Sequence, residues 1–297
     1  MAPLDEAVAA WIDSKGVVPV DPQLSTAQQL PLWRAMLAKA VGAGDQAAEF
    51  AASWWLAKSP LIDVAERRTH TARAIALAQA MQAPAPAMGR LAITRIDNAN
   101  ERPSAWRKGQ RAMLADPRYG ADPLTASTLS LRIAAPGEGQ REPEDASALL
   151  DAVIAQPALD ARHPLKIAAR LRRANLAAKA GDLAAAQAQF QQTGLTEQQC
   201  ALIGVKPALR SHGMGNSDYP MLASKIGFEG WVSLELDVSA DGSTLRPRTL
   251  IAYPPFVFGE SAVAAAKNFR FESSYRPSGG TACTASQHVI RYGLNYD

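Results

Sequence analysis

Cysteine is almost absent from this sequence: Cys200 and Cys283 are the only two in 297 residues. That is too few for a zinc site without histidine help, and the spacing is not that of a CxxC redox pair. Two readings stay open, a single disulfide in an oxidising compartment or two free cytosolic thiols. Histidine is as scarce, and His70, His163, His212 and His288 are scattered. His70 has no acidic or histidine partner at i+4 on its helix face, and His163, just before Pro164, reads as a helix-start residue. No metal site is expected from them. An excess of one charge is also missing: 31 Lys plus Arg face 28 Asp plus Glu, a formal charge of +3. With no concentrated basic stripe, nucleic acid is not an expected partner. No apolar run approaches the roughly 20 residues that cross a bilayer, so no membrane span is expected. The start, Met1-Ala2-Pro3-Leu4-Asp5, has no basic region followed by an apolar segment, so no signal peptide is visible. There is no G-x-S-x-G elbow, P-loop, HExxH or Rossmann glycine motif. The acids Glu142, Glu144 and Asp145 lie in or beside a polar loop and read as solvated charge or caps. No catalysis and no cofactor are expected.

What is present is a globular composition, 47% hydrophobic and 20% charged, that changes character near residue 200. Before that point the chain is rich in Ala, Leu, Gln and Arg, all strong helix formers. Breakers and caps mark helices at Leu4–Ser14, from Ser25 or Thr26 to Val41, from Asp45 past Trp54, Trp55 and Leu56, and at Asp63–Gln82. Further helices are expected near 87–96, 104–115, 123–133, 144–155 and 165–192. The last of these turns at Gly181-Asp182 and has the outline of a tetratricopeptide-type hairpin. No regular 34-residue period is visible, so an irregular helical domain packing on itself is expected over a peptide-binding solenoid. Trp11, Trp33, Trp54, Trp55 and Trp106 read as core. Adjacent helical residues diverge by about 100°, so Trp54 and Trp55 cannot both face one core.

After residue 200 the signals are those of strands. Proline suits a first helical turn, so Tyr219-Pro220 opens a short helix over Met221–Ile226. Alternation over Glu229–Ser239 sends Val232, Leu234, Leu236 and Val238 to one face and Trp231, Ser233, Glu235 and Asp237 to the other. Asp241-Gly242 is a hairpin turn and Thr244–Ala252 the returning strand. A helix follows over Phe258–Phe271, with Phe258, Ala262, Ala265, Ala266 and Phe269 inward. Next comes a loop over Ser273–Ser286, then a last strand from Gln287 to Tyr296 with Ile290, Tyr292, Leu294 and Tyr296 on one face. The expected architecture is an all-α helical-hairpin domain over 1–197, a linker over 198–217, and a module over 218–297. That module has three antiparallel strands with two helices on one face. Pro247 marks the second strand as an edge that cannot be extended; with the first strand central, the last strand holds the open edge.

The run Tyr219-Pro220, Ala223, Glu229-Gly230, Val232, Asp237-Val238, Asp241-Gly242, Phe258, Ala264–Ala266, Phe269-Arg270-Phe271 and Pro277 resembles the C-terminal domain of TonB-type energy transducers. The resemblance covers about 80 residues, 218–296. It implies a periplasmic, protein-binding module in which a segment of an outer-membrane transporter pairs with the last strand. Carried onto this chain, the pairing backbone is Gln287, His288, Val289, Ile290, Arg291, Tyr292 and Gly293, with His288 and Arg291 flanking. Covering of that edge by the helical domain or by a second copy is the alternative, the latter giving a self-associating envelope protein. Transducers of this family also carry a membrane helix and a Pro-rich spacer, which this chain lacks, so direct energy transduction is not implied. The helical domain would bind a second partner. The periplasmic reading suits a bond between Cys200 and Cys283, which on the chain-entropy model contributes roughly 4–5 kcal/mol.

Overall fold

The computed structural model describes residues 3–99, 103–135, 142–195, 207, 209–215 and 218–293. The chain divides into two compact units. One holds Met1–Ile133 with Gln156–Leu159, the other Ala134–Ala155 with Asp160–Asp297. Among the described residues the structure is mostly helical, with a small antiparallel sheet toward the C-terminal end.

The first unit is built from α1 (Pro3–Ser14), α2 (Thr26–Ala43), α3 (Gln46–Lys58), α4 (Val64–Ala80) and α5 (Ala85–Asp97). It continues through α6 (Pro103–Ala115), α7 (Pro117–Gly120) and α8 (Pro123–Ala134), of which the last residue falls in the second unit. Helix starts fall where the sequence places them, at Ser25 or Thr26, at Asp63, and at the cap Asp45. Ser25 and Gln28 form a reciprocal capping box on α2, which satisfies two otherwise orphaned donors. Asp45 accepts from the Ala47 and Ala48 amides at the start of α3, and Asp63 from the Glu66 amide at the start of α4. Helix α7 has four residues, too few to show a period in the sequence. The paired tryptophans separate as their spacing requires. Trp54 is buried in a core with Trp11, Phe50, Leu77 and Leu91, while Trp55 is half-buried at that core's margin and stacks on Trp33 of α2, with centroids 5.5 Å apart. His70 does have an acidic neighbour, one turn earlier and not later: its Nε2 lies 3.5 Å from Glu66.

The second unit contains α9 (Ala146–Ala155), α10 (Pro164–Lys179), α11 (Leu183–Gln191), β1 (Leu209–Ser211), α12 (Met221–Lys225) and β2 (Gly230–Ser239). Then come β3 (Thr244–Tyr253), α13 (Gly259–Ala266), β4 (Arg270–Phe271) and β5 (Thr281–Tyr292). Three strands form an antiparallel sheet in the order β3-β2-β5, and β1 pairs with β4 in a separate ladder. Val232, Leu234, Leu236 and Val238 on β2 are fully buried against Ala223 of α12 and Phe258, Ala262, Ala265 and Ala266 at α13. The hairpin α10–α11 falls in this unit with the sheet, so the division of the chain comes well before the change of composition near residue 200. His163 caps α10 by accepting from the Leu165 amide, as its position before Pro164 predicts.

Three expectations differ. The helix over Phe258–Phe271 ends at Ala266. Beyond it, Phe269 and Phe271 are buried while Arg270 is exposed, a two-residue period that belongs to a strand; Arg270–Phe271 accordingly forms β4. The loop expected over Ser273–Ser286 gives way at Thr281 to β5, which pairs Thr281 with Ser239 and Cys283 with Val238. The run Thr-Ala-Cys-Thr-Ala is too uniformly small to show alternation in the sequence. The linker expected over 198–217 lies largely outside the described residues; within its described part Leu209–Ser211 forms β1, which a three-residue stretch cannot announce without its partner.

Two glycines are fixed by close approach. A Cβ on Gly230 would run into the Tyr253 carbonyl and the Phe258 ring, and Gly242, at φ 89°, sits under the Phe271 carbonyl. These are the glycines of the EG and DG pairs in the sequence.

Candidate functional site

Strand β5 lies at one end of the three-stranded sheet and β3 at the other. The two edges are built differently. On β3 the register against β2 shifts twice, between Ser233 and Leu234 and between Glu235 and Asp237. Arg246, in the second irregularity, has φ 47°, and Pro247 follows it. Bulges, a missing donor and charged side chains are devices that stop a further strand from adding. On β5 the register shifts only beyond Leu236; from Tyr292 opposite Gly230 to Ser286 opposite Leu236 it is unbroken. This regular stretch is roughly 20 Å long at the usual strand rise. Among the described residues no other strand pairs with it. In an antiparallel ladder alternate residues direct their backbone groups away from the neighbour, so this stretch offers donors and acceptors on its outer side.

One carboxylate holds the second irregularity of β3 and the irregularity of β5. Asp237 is only 4% exposed, although alternation assigns it to the open face. Its Oδ2 accepts from Arg246 Nε at 2.7 Å, and its Oδ1 accepts from the Ala285 amide at 2.8 Å. Ala285 has φ 55° and sits where the β5 register shifts, between Ser286 and Cys283. Asp237 thus pins the point where β5 stops being regular.

The expected pairing residues divide by face. Gln287, Val289 and Arg291 are exposed, whereas Ile290 and Tyr292 are buried. His288 is on the core side, its ring 5.2 Å from Phe271 and 6.2 Å from Phe269, with Nε2 3.0 Å from Ser286 Oγ. Its parity with Ile290 and Tyr292 sets this direction, so Arg291 is the flanking side chain on the open face and His288 is not. Gly293 is exposed. Leu294 and Tyr296 lie outside the described residues.

On the open face, cross-strand partners form rows: Tyr253, Trp231 and Arg291; then Ile251, Ser233 and Val289; then Arg248, Glu235 and Gln287. Tyr253, Ile251 and Val289 are 61%, 59% and 59% exposed. The third row is charged, with Arg248 paired to Glu235. The face is therefore apolar beside Val289 and polar beside Gln287.

The far end of β5 is anchored by aromatics. Phe258 and Tyr292 stack at 4.5 Å, and Tyr219 meets both edge-on at 5.7 and 5.5 Å. Tyr219 Oη donates to the Phe228 carbonyl, which explains the tyrosine of the YP pair. Burial, with a smaller contribution from Asp218, pushes the Tyr292 hydroxyl up to about 12.

The near end is tied to the helical hairpin. The Tyr275 amide donates to Asn175 Oδ1 at 2.5 Å, and its hydroxyl lies 3.0 Å from Gln187 Oε1. The Tyr275 ring meets Phe190 edge-on at 6.2 Å, and the Arg276 guanidinium lies 5.4 Å from the Phe190 ring. Arg210 bridges Glu272 at 3.2 Å and Glu142 at 3.7 Å, and Glu142 also pairs with Lys179. Glu142 is held below the usual carboxylate range by Lys179, whose hydrogen bond outweighs the effect of burial.

Cys283 is buried in β5 and is disulfide-bonded. Cys200 lies outside the described residues. Among those residues no group of His, Cys, Asp or Glu is arranged to hold a metal ion, and no helix is long and apolar enough to cross a membrane. No family model matches the chain, and no curated protein matches it significantly.

Proposed function

We propose that this chain is a periplasmic protein-interaction protein of the TonB-like kind. Its C-terminal module would pair an extended partner segment, such as that of an outer-membrane transporter, with the edge of β5 from Gln287 to Gly293. The observation that carries this reading is the asymmetry of the sheet: β3 is obstructed by two bulges and Pro247, while β5 keeps an unbroken register from Ser286 to Tyr292. Main-chain hydrogen bonds supply affinity in such pairing, and alternate side chains supply selectivity. The rows of the open face specify those side chains: an acidic or polar residue beside Arg291, an apolar one beside Val289, and a polar one beside Gln287. The helical first unit serves a second partner. The disulfide of Cys283 is assigned to Cys200, which belongs to an oxidising compartment.

The test uses the full chain, isotope-labelled, titrated with seven-residue peptides taken from periplasm-facing segments of outer-membrane transporters. Amide shifts concentrated over 286–292, lost when alternate peptide amides are N-methylated, are the expected result. Failure of every peptide to bind, or shifts confined to the helices, would overturn the reading. Val289→Pro and Arg291→Pro serve as protein-side controls, accepted only where the thermal transition is retained.

The exposed Tyr253, Ile251 and Val289 favour a second reading, in which the open face and edge meet a second copy of the chain. Concentration-dependent sedimentation without peptide, abolished by Val289→Lys, would select it.

A further inference from the structure

Phe256 stands out twice. It is fully exposed, at 102%, and its backbone has φ 66°, a conformation that a bulky side chain rarely adopts. Backbone outliers of this kind persist where the surrounding structure fixes them, and they cluster at sites of contact with a ligand or partner. Pro254 and Pro255 come just before it and lock φ at two successive residues. The ring therefore stands on a stiff turn between β3 and α13 and gives up little freedom when something encloses it. Four residues on, Glu260 is exposed and makes no ion pair or side-chain hydrogen bond among the described residues.

The first unit carries a feature of matching size and opposite charge. A cavity of about 180 Å³ lies between α2 and the end of α3, walled by Leu30, Trp33, Trp55, Leu56 and Pro60. Thr26 and Pro60, both exposed, place its mouth at the surface. An apolar protein cavity of roughly 150 Å³ takes up benzene, so this one has room for a benzyl side chain. Lys58 also lines it. Lys58 Nζ lies 2.7 Å from Asp5 Oδ1, and Arg90 Nε lies 3.1 Å from the same oxygen. Two cations share one carboxylate, so the cavity side is positive where the Phe256 turn is negative.

We propose that this cavity receives Phe256 of a second copy of the chain, with Glu260 of that copy facing Lys58. A bilayer is a poorer occupant for the Phe256 turn, because anionic headgroups repel Glu260. The exposed ring and the cavity are different patches of one chain, so the contact is heterologous and repeats from copy to copy. It uses neither the edge nor the open face of β5, and it is independent of the partner-pairing reading.

The test is sedimentation velocity of the full chain from roughly 1 μM to 1 mM. The chain should associate without a fixed stoichiometry, since each added copy brings a free ring and a free cavity. Phe256→Gly removes the ring and suits the positive φ. It should keep its thermal transition and weaken association about thirtyfold or more, as truncation of an anchor residue does. Leu30→Trp fills the cavity and should do the same with the ring intact; Thr26→Trp, at the exposed mouth, replaces it if Leu30→Trp does not fold. Mixed together, the ring-less and cavity-filled variants should form a dimer and nothing larger, because one ring and one cavity remain between them. A monomer at every concentration, association that survives Phe256→Gly, or a mixture that stays monomeric would each overturn the proposal.

Discussion

Replacing Asp237 with alanine should destabilise the second unit by about 2–3 kcal/mol, and the reason can be separated from its neighbours. Asp237 is buried, and its carboxylate makes two charge-assisted contacts, one to the Arg246 side chain and one to the Ala285 amide. Hydrogen bonds to a charged group contribute about 1.5–3 kcal/mol each when buried, but an ion pair to an exposed arginine contributes about 0–1 kcal/mol. Arg246 is the exposed partner, with 70% of its side chain in solvent. Most of the loss should therefore come from the Ala285 contact, which also holds that residue at φ 55°, a conformation costing a non-glycine residue about 1–2 kcal/mol. Arg246→Ala should cost less than about 1 kcal/mol. Asp237→Asn, which keeps an acceptor for Ala285, should fall between the two. For a unit of this size 2–3 kcal/mol is a fall of roughly 4–12 °C in the transition temperature. Urea unfolding of the three variants measures the order directly. If Arg246→Ala costs as much as Asp237→Ala, or if Asp237→Ala costs under about 0.5 kcal/mol, the assignment of Asp237 as the pin of β5 is refuted.

Burial pushes the Tyr292 hydroxyl up to about 12, above the 10 of a free tyrosine, so the unfolded state should lose its proton first as pH rises. Allowing for solvent screening of a partly buried group, stability should fall by about 1–2 kcal/mol between pH 10 and 12. Tyr292→Phe should remove that fall and cost little at neutral pH, since the hydroxyl is buried without an acceptor among the described residues; alkaline unfolding curves of the two proteins make the comparison. Gly230→Ala should lower stability by about 1–3 kcal/mol, because the added methyl meets the Tyr253 backbone and the Phe258 ring; a thermal shift near zero would show that β2 can move away. Cys200 and Cys283 should both resist alkylation in denaturant until a reductant is added, read by intact mass; modification without reductant would remove the bond between them. At the acid end, Asp5 is held below its ordinary pKa by Arg90 and Lys58. The stability it contributes is present above the unfolded value and should be lost as pH falls below about 4. Asp5→Asn should flatten the acid limb of a pH–stability curve for the first unit.

What could be read from the sequence was local. The cap at Asp45 and the helix starts at Ser25 or Thr26 and at Asp63 are decided by residues within one turn, and they hold; that Asp182 of the Gly181-Asp182 turn caps α11 is a further local fact the turn did not by itself announce. The buried face of β2 follows from alternation alone, and Pro247 identifies the blocked edge without any knowledge of the partner. What escaped depends on residues far apart in the chain. Strand β1 exists because Leu209 pairs with Phe271, and Asp237 is buried because bulges on two flanking strands bring Arg246 and Ala285 to it. The direction of His288 was accessible, since it shares parity with the buried Ile290 and Tyr292. The Trp33–Trp55 stack was only half accessible: the tryptophan pair required two environments, but nothing local named Trp33 as the second.

The contacts of Tyr275 bear on how this piece of chain can be inherited. A segment moved between genes survives as a folded piece only if its apolar and hydrogen-bonding groups travel with their partners. Residues 218–293 hold the sheet, but Tyr275 and Arg276 rest on Asn175, Gln187 and Phe190, and Arg210 joins Glu272 to Glu142. Cut at 218, the sheet would arrive with an aromatic side chain exposed and a carboxylate unpaired. Cut near 142, it would carry its own support. Recombination that preserves this sheet should therefore be found to carry the helical hairpin along.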